Sequence, residues 1–506
     1  MYTPDKATFR ERVLRGNLVP VWRELLADQE TPVSAYERLR AALVKQYGRT
    51  PTFLLESVEG GENIARYSFL GGRPREVFVN RGNTVEIHHR DGEVETVPGS
   101  DALTALKQHM AQYRPVPDPL LPPFFGGAVG YIGYDAVTQF EPRVGLSDGP
   151  GLGTPDMEFL IADSIIVFDR VRHTMKVVVN AYVDGDPEAA YDEAVRRIDE
   201  TCRQLTTEVP RCVIDAHGEP PEIASESNVE REVFEESVRR AKEYIRAGDI
   251  IQVVLSQRFE AAFHGDPLDV YRAIRSINPS PYMFCLDLGE YQLVGASPEI
   301  HVKSDAGHVE IRPIAGTRHR SADAAEDLRL ETELLADPKE RAEHVMLVDL
   351  ARNDIGRVCR YGSVRVPEQM VIERYSHVMH IVTSVLGDLA DEHDGYDLMR
   401  ATFPAGTVSG APKIRAMEII AELEGIKRGP YAGAVTYVGF TGNLDSCITI
   451  RSVVLTDDKA YVQAGAGIVA DSDPTFEYEE TRNKARGMLK ALALSSRFAA
   501  RREEMK

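Results

Sequence analysis

Two pairs of glutamates have the spacing most suggestive of chemistry: Glu340 with Glu343, and Glu477 with Glu480. Each pair falls in a segment of helical periodicity, at 338–354 and 474–493. Residues three apart on a helix are surface neighbours, so each pair presents two carboxylates on one face. Four converging carboxylates would suit a hard cation that takes oxygen ligands, such as Mg²⁺. The same spacing is common on solvated helix faces, and spacing alone leaves both readings open. Glycine-rich backbone is the second signal. Gly465-Ala466-Gly467 ends one predicted strand and Gly316-Thr317 follows another, where bare N–H groups can hold an anion. Neither is a P-loop or a dinucleotide fingerprint, because no Gly-Lys-Ser/Thr follows and the strand-to-helix context is missing. Arg451 and Lys484 are candidate carboxylate partners, or ordinary surface charges. Among thirteen histidines, His377 and His380 read as sharing one turn, and spacing does not choose an acid-base group from the set.

These residues need a large scaffold. At 506 residues the chain exceeds the length at which single cores stop growing, and its 43% hydrophobic and 27% charged residues are those of a globular protein. The net charge of −20 argues against a nucleic-acid partner or an anionic membrane surface. An anionic ligand would therefore need local cationic groups or a metal ion to overcome that field. No apolar run reaches the ~18 residues of a membrane span, and residues 1–17 lack the apolar core of a signal peptide, so a cytoplasmic location is expected. Five scattered cysteines point to reduced thiols rather than a disulfide framework or a zinc site.

Proline- or glycine-rich connections lie at 115–123, 147–155 and 217–227. The last predicts a division into an N-terminal part at 1–216, a linker at 217–227, a catalytic part at 228–495 and a tail at 496–506. Short strands are predicted in the first part at 52–55, 84–89, 164–168 and 175–179. In the second part, Ser227-Asn228-Val229-Glu230 has capping-box spacing ahead of an amphipathic run that stops at Gly248. In the strand predicted over 250–259, Gln252, Val254, Ser256 and Arg258 share one face. Further strands are predicted at 290–295, 308–314, 432–439, 447–455 and 459–464, with another helix at 413–423. The expected class is α+β, with large antiparallel sheets packed together and flanked by helices.

Long motifs then occur together and in one order. They are Leu54-Leu55-Glu56-Ser57, residues 248–256, Asn278-Pro279-Ser280-Pro281-Tyr282-Met283 and Gly295-Ala296-Ser297-Pro298-Glu299. They continue with Pro313-Ile314-Ala315-Gly316-Thr317, residues 343–354, 404–413, 463–467 and 480–486. In these the chain resembles the chorismate-utilising enzymes, and among them the anthranilate synthase component I family, over about residues 19–492. The resemblance implies that Glu343 and Glu480 bind Mg²⁺, with Glu340 and Glu477 behind them. It also implies substrate contacts from Gly316, Thr317, Tyr431, Arg451, Gly465, Ala466, Gly467 and Lys484. Glu299 matches the glutamate that protonates a leaving hydroxyl, and His380 the histidine associated with pyruvate elimination; Gln252 and Thr407 complete the catalytic set. Leu55, Glu56, Ser57, Asn278, Pro281, Tyr282 and Met283 resemble a tryptophan-binding element, which implies feedback inhibition.

The implied substrates are chorismate and ammonia. The ammonia would come from a separate glutamine amidotransferase subunit, in an assembly of two large and two small chains, because no cysteine here lies in a Gly-x-Cys-x-Gly context. Related isochorismate and salicylate synthases carry a lysine where this chain has Gln252, and an amide cannot activate water as a base. Aminodeoxychorismate synthases typically carry a lysine in place of Ala315. That enzyme is the first alternative, and a non-catalytic tryptophan-sensing protein is the second.

Overall fold

Period-two patterning places short segments along the whole chain in antiparallel strands. The computed structural model describes residues 1–57, 66–99, 101–145, 147, 149–210, 212–214, 222–375 and 378–504. Among them the strands form two twelve-stranded sheets. The first runs Leu18–Leu26, Thr174–Tyr182, Ser164–Asp169, Tyr67–Gly72, Thr52–Glu56, Tyr282–Asp287, Gln292–Ser297, Ser452–Leu455, Lys459–Ile468, Gln252–Ala262, Glu226–Ser227, with Gly410–Ala411 also on Gln252–Ala262. The second runs Ile314–His319, Val378–Asp388, His308–Ile311, Ile300–Asp305, Leu444–Ile448, Ala434–Gly439, Gly127–Ile132, Met157–Ala162, Glu76–Arg81, Thr84–His89, Val94–Pro98, with Arg365–Arg374 also on Val378–Asp388. Both sheets draw strands from either side of 217–227; residues 217–221 of that expected linker lie outside the described residues.

Strands such as Gln292–Ser297 and Gly127–Ile132 are buried at every position, so both faces of these sheets need cover. An aromatic layer that includes Trp22, Phe53, Phe69 and Phe284 of the first sheet meets Tyr131, Leu160 and Val435 of the second. On the far side of the first sheet, Phe9, Tyr36, Ile198, Tyr271 and Met488 pack from helices Lys6–Val13, Pro32–Tyr47, Pro187–Gln204, Pro267–Ile277 and Pro474–Glu504. The α+β class expected from the sequence is what the chain adopts.

Four local expectations are corrected. Ser227 does not cap the helix Arg231–Ala247: it sits in a strand, its hydroxyl accepts from Val229 N–H, and Glu230 is the capping position without a side-chain bond. The stretch 308–314 splits into two strands, and 447–455 breaks between Ile448 and Ser452, where Arg451 takes φ 51. The last helix passes residue 493 and continues to Glu504, so most of the expected tail is helix, with Ser495 and Phe498 buried.

Candidate functional site

Both glutamate pairs sit at helix starts. Asp337 accepts from the N–H groups of Lys339 and Glu340 at 3.0 and 3.3 Å, opening Pro338–Gly356 so that Glu340 occupies its first turn. Asp473 accepts from Phe476 N–H at 2.9 Å ahead of Glu477 in Pro474–Glu504. Helix N-termini carry partial positive charge, which favours carboxylates there. Crowding acts against it: burial and Glu343 push Glu340's carboxyl up, and burial together with Glu480 pushes Glu477's up. The pairs do not form a ready-made cage, since among the described residues no three His, Cys, Asp or Glu side chains stand together as a metal site. Two pairs of mutually repelling carboxylates fit Mg²⁺, which takes one or two carboxylates and keeps water and ligand oxygens for the rest.

Other candidates gather around these helix starts. The Gln252 amide approaches Glu343 at 3.4 Å, and a side chain at Gly467 would collide with it, its Cβ 2.4 Å from Gln252 Nε2. A Cβ at Gly465 would lie 2.8 Å from the Tyr431 hydroxyl. The backbone at Gly465 and Gly467 therefore forms a floor directly beneath Tyr431 and Gln252, least yielding at Gly465, where a Cβ would also lie 3.0 Å from the Leu255 carbonyl. Ala466, between them, is buried. Lys484 Nζ reaches Glu480 at 2.6 Å and donates to the Gly465 carbonyl at 3.0 Å, while Arg451 donates to the Lys484 carbonyl at 2.8 Å. Burial holds Arg451's pKa below its ordinary value, against the pull of Tyr431 and Glu480.

Gly316 has φ +67, and a Cβ there would meet Leu334 at 2.9 Å and Glu340 Oε2 at 3.2 Å, so a bulkier residue would be strained twice over. Its carbonyl lies 2.9 Å from His380 Nδ1, and the Thr317 hydroxyl lies 3.1 Å from the same atom. A carbonyl only accepts, so Nδ1 carries the proton and Nε2 keeps its lone pair. Burial lowers the His380 pKa, reinforced by Arg451 and opposed by the Gly316 carbonyl. His380 lies in the strand Val378–Asp388 rather than on a turn, and its expected neighbour His377 falls outside the described residues.

Glu299 is 6% exposed, between the strands Gln292–Ser297 and Ile300–Asp305. Burial raises its carboxyl to about 7, opposed by the Thr407 hydroxyl, which donates to Oε1 at 2.7 Å, and by the Ile314 N–H. A carboxyl held in this way is part protonated at neutral pH and can donate a proton.

A cavity of about 990 Å³ is lined by Leu55, Glu56, Ser57, Pro281, Tyr282 and Met283, together with Phe124, Tyr437, Asp445, Pro298 and Ile300. Glu56 and Leu55 pair across the sheet with Met283 and Phe284, so register brings two distant motifs side by side. Asn278 is not in the cavity wall; it ends the helix Pro267–Ile277. Glu56 is buried against the Tyr271 hydroxyl at 2.6 Å, Arg170 at 2.9 Å and Arg275 at 3.3 Å. Sequence reasoning did not single out these three partners, or the buried Glu424–Arg428 pair, because isolated Arg and Glu residues read as solvated charges.

The family described as chorismate binding enzyme matches residues 50–490. The menaquinone-specific isochorismate synthase of Escherichia coli shares the fold, with TM-score 0.66 at 18% identity over 96% of this chain and 98% of that one. Anthranilate synthase component I from Streptococcus pneumoniae TIGR4 superposes with TM-score 0.74 at 37% identity, covering 92% of this chain and 99% of its own. Anthranilate synthase component 1 of Acetivibrio thermocellus is 48% identical over 94% of this chain and 95% of its own length. The chain belongs to the anthranilate synthase component 1 family of chorismate-binding enzymes.

Proposed function

We propose that the chain aminates chorismate with ammonia and eliminates pyruvate to release anthranilate, opening tryptophan biosynthesis. The observation that carries this reading is Glu299, a buried carboxyl raised to about 7 and held by Thr407. Expelling hydroxide from the ring needs a proton donor at neutral pH. Lys484 and Arg451 supply positive charge for the substrate's carboxylates, and the N–H groups of Gly465 and Gly467, which face away from the strand Gln252–Ala262 on either side of Ala466, orient it with Tyr431, Gly316 and Thr317. Glu343 and Glu480 would hold Mg²⁺, backed by Glu340 and Glu477; the ion, when bound, offsets the repulsion between an acidic protein and a dicarboxylate. As the C4–O bond breaks, Glu299 gives its proton to the departing oxygen while the ammonia lone pair forms the C2–N bond. His380, with Nδ1 protonated, then takes the C2 proton at Nε2 as pyruvate leaves. Gln252 cannot act as a base, which disfavours water as the competing nucleophile.

Tryptophan is the proposed inhibitor, its indole among the rings of the 990 Å³ cavity. A separate glutamine amidotransferase is the proposed nitrogen source. Purified protein given chorismate, Mg²⁺ and ammonium should generate anthranilate fluorescence and pyruvate, and glutamine alone should not replace ammonium. Aminodeoxychorismate or isochorismate as the end product would overturn the reading. Glu343→Ala and Glu480→Ala should abolish turnover with the melting temperature preserved, and near-normal turnover in either would remove the metal assignment.

A further inference from the structure

Against the segments that bear Gln252 and Thr407, Arg428 and Glu424 form a fully buried ion pair at 2.6 and 2.9 Å, with side chains 1% and 2% exposed. Replacing such a pair by apolar residues is often neutral or stabilising, so stability alone does not account for it. Its remaining bonds go to segments that bear the site. Arg428 donates to the carbonyl of Val408 at 2.7 Å and to that of Val254 at 2.7 Å. Val408 ends the short helical turn Gly406–Val408, whose Thr407 holds Glu299, and Val254 lies two residues from Gln252. Glu424 Oε1 accepts the Ser256 N–H at 2.7 Å and its hydroxyl at 2.8 Å. Ser256 in turn accepts from Gln463 at 2.9 Å, two residues before Gly465. The guanidinium also stands 5.7 Å from the ring centroid of Tyr431.

We infer that Arg428 and Glu424 are positioning residues for the proposed reaction: through Val408 they keep the Thr407 hydroxyl on Glu299, and through Ser256 and Gln463 they fix the glycine floor. The inference rests on the chorismate-amination reading. Around Glu299 stand the Thr407 hydroxyl, the Ile314 N–H, His301, which burial holds neutral, and Asp354, paired with Lys413 at 2.8 Å. If the turn at 406–408 slackens, the carboxylate loses its hydroxyl donor and binds its proton more tightly.

The test is the double variant Glu424→Leu with Arg428→Met, which removes both charges and leaves neither buried alone. Because the Val408 and Val254 carbonyls and the Ser256 N–H lose their partners, it should fold but melt below the wild type, while kcat at saturating substrates falls about 10²-fold, as for a misplaced catalytic group. The alkaline limb of its pH–kcat profile should move to higher pH, in the same direction as in Thr407→Val. A folded double variant with wild-type kcat and an unshifted limb overturns the inference. If the double variant does not fold, Arg428→Lys decides, because lysine keeps the charge but not the geometry that reaches two carbonyls: a shifted limb supports the inference and an unshifted one overturns it. A wild type that makes no anthranilate overturns the reaction reading instead.

Discussion

Thr407→Val tests the central chemical claim, that a hydroxyl tunes the acid. The bond it deletes is 2.7 Å long and ends on Glu299 Oε1, in a site 6% exposed. A hydrogen bond to an ionised group contributes about 1.5–3 kcal/mol, and one pH unit corresponds to about 1.4 kcal/mol. Valine keeps the shape but donates nothing, so the carboxylate is destabilised and the pKa, now about 7, rises by roughly 1 to 2 units. The reaction needs the protonated form, so activity is lost as pH rises through this pKa, and the alkaline limb must move upward. The low-pH plateau should fall, because a weaker acid protonates the leaving oxygen less readily. The assay is anthranilate fluorescence across neutral and alkaline pH, with chorismate and Mg²⁺ saturating and free ammonia held constant at each point. Thr407→Ser should restore the wild-type limb. A limb that stays in place or moves to lower pH in Thr407→Val refutes either the tuning or the assignment of Glu299 as the acid.

Glu299→Gln should abolish turnover yet stabilise the fold at alkaline pH. Because the folded pKa of about 7 exceeds the ordinary glutamate value of 4.5, the native state holds this proton more tightly, and stability falls as pH rises between those values, by roughly 3 kcal/mol in total; urea unfolding should show the variant more stable at pH 8 and equal to wild type at pH 4.5, and equal curves at both would contradict the raised carboxyl. His380→Ala should slow pyruvate elimination by roughly 10² to 10⁴ and let the aminated intermediate accumulate, whereas parallel loss of both stages on chromatography would reduce His380 to packing. Ser57→Phe should relieve inhibition by tryptophan and leave uninhibited turnover largely intact, and calorimetry showing no tryptophan binding to the wild type would end the regulatory reading.

What was legible in the sequence is what local physics controls. The strand expected at 84–89 is Thr84–His89, and the helices expected at 338–354 and 413–423 are Pro338–Gly356 and Lys413–Glu424, because patterning and caps mark their ends. Sheet order was not legible: Gln292–Ser297 pairs with Ser452–Leu455, a partnership fixed by packing across the whole chain. The break at Arg451 was hidden because a non-glycine residue at φ 51 has no propensity signal. The last helix ran past its expected end because nothing after residue 493 breaks a helix, and Arg502 anchors it with a contact to Asp269 at 2.8 Å. In the site, spacing flagged the glutamate pairs. Glu299 and His380 needed the family resemblance, since their acid-base behaviour comes from burial and partners that spacing does not encode.

Burial also explains how one segment can serve both the acid and the proposed inhibitor. Residues 298–301 join the strand Gln292–Ser297 to Ile300–Asp305 and border two cavities. Pro298 and Ile300 line the 990 Å³ cavity that Glu56, Ser57, Tyr282 and Met283 also border, and Glu299, Ile300 and His301 line a small cavity of about 30 Å³ with Thr407, so Ile300 borders both. Ile314 repeats the pattern: it lines the large cavity and its N–H bonds Glu299. A ligand proposed for the large cavity would therefore contact the backbone that carries the acid without touching the acid itself. Inhibition follows if the ligand binds better when that backbone is displaced, and the same coupling obliges chorismate to weaken the ligand's binding by an equal factor. Glu56 adds a condition. Arg170, Arg275 and Tyr271 already satisfy its carboxylate, so an incoming ammonium must share or displace a guanidinium, which links occupancy of the cavity to movement of the helix Pro267–Ile277 that carries Tyr271 and Arg275.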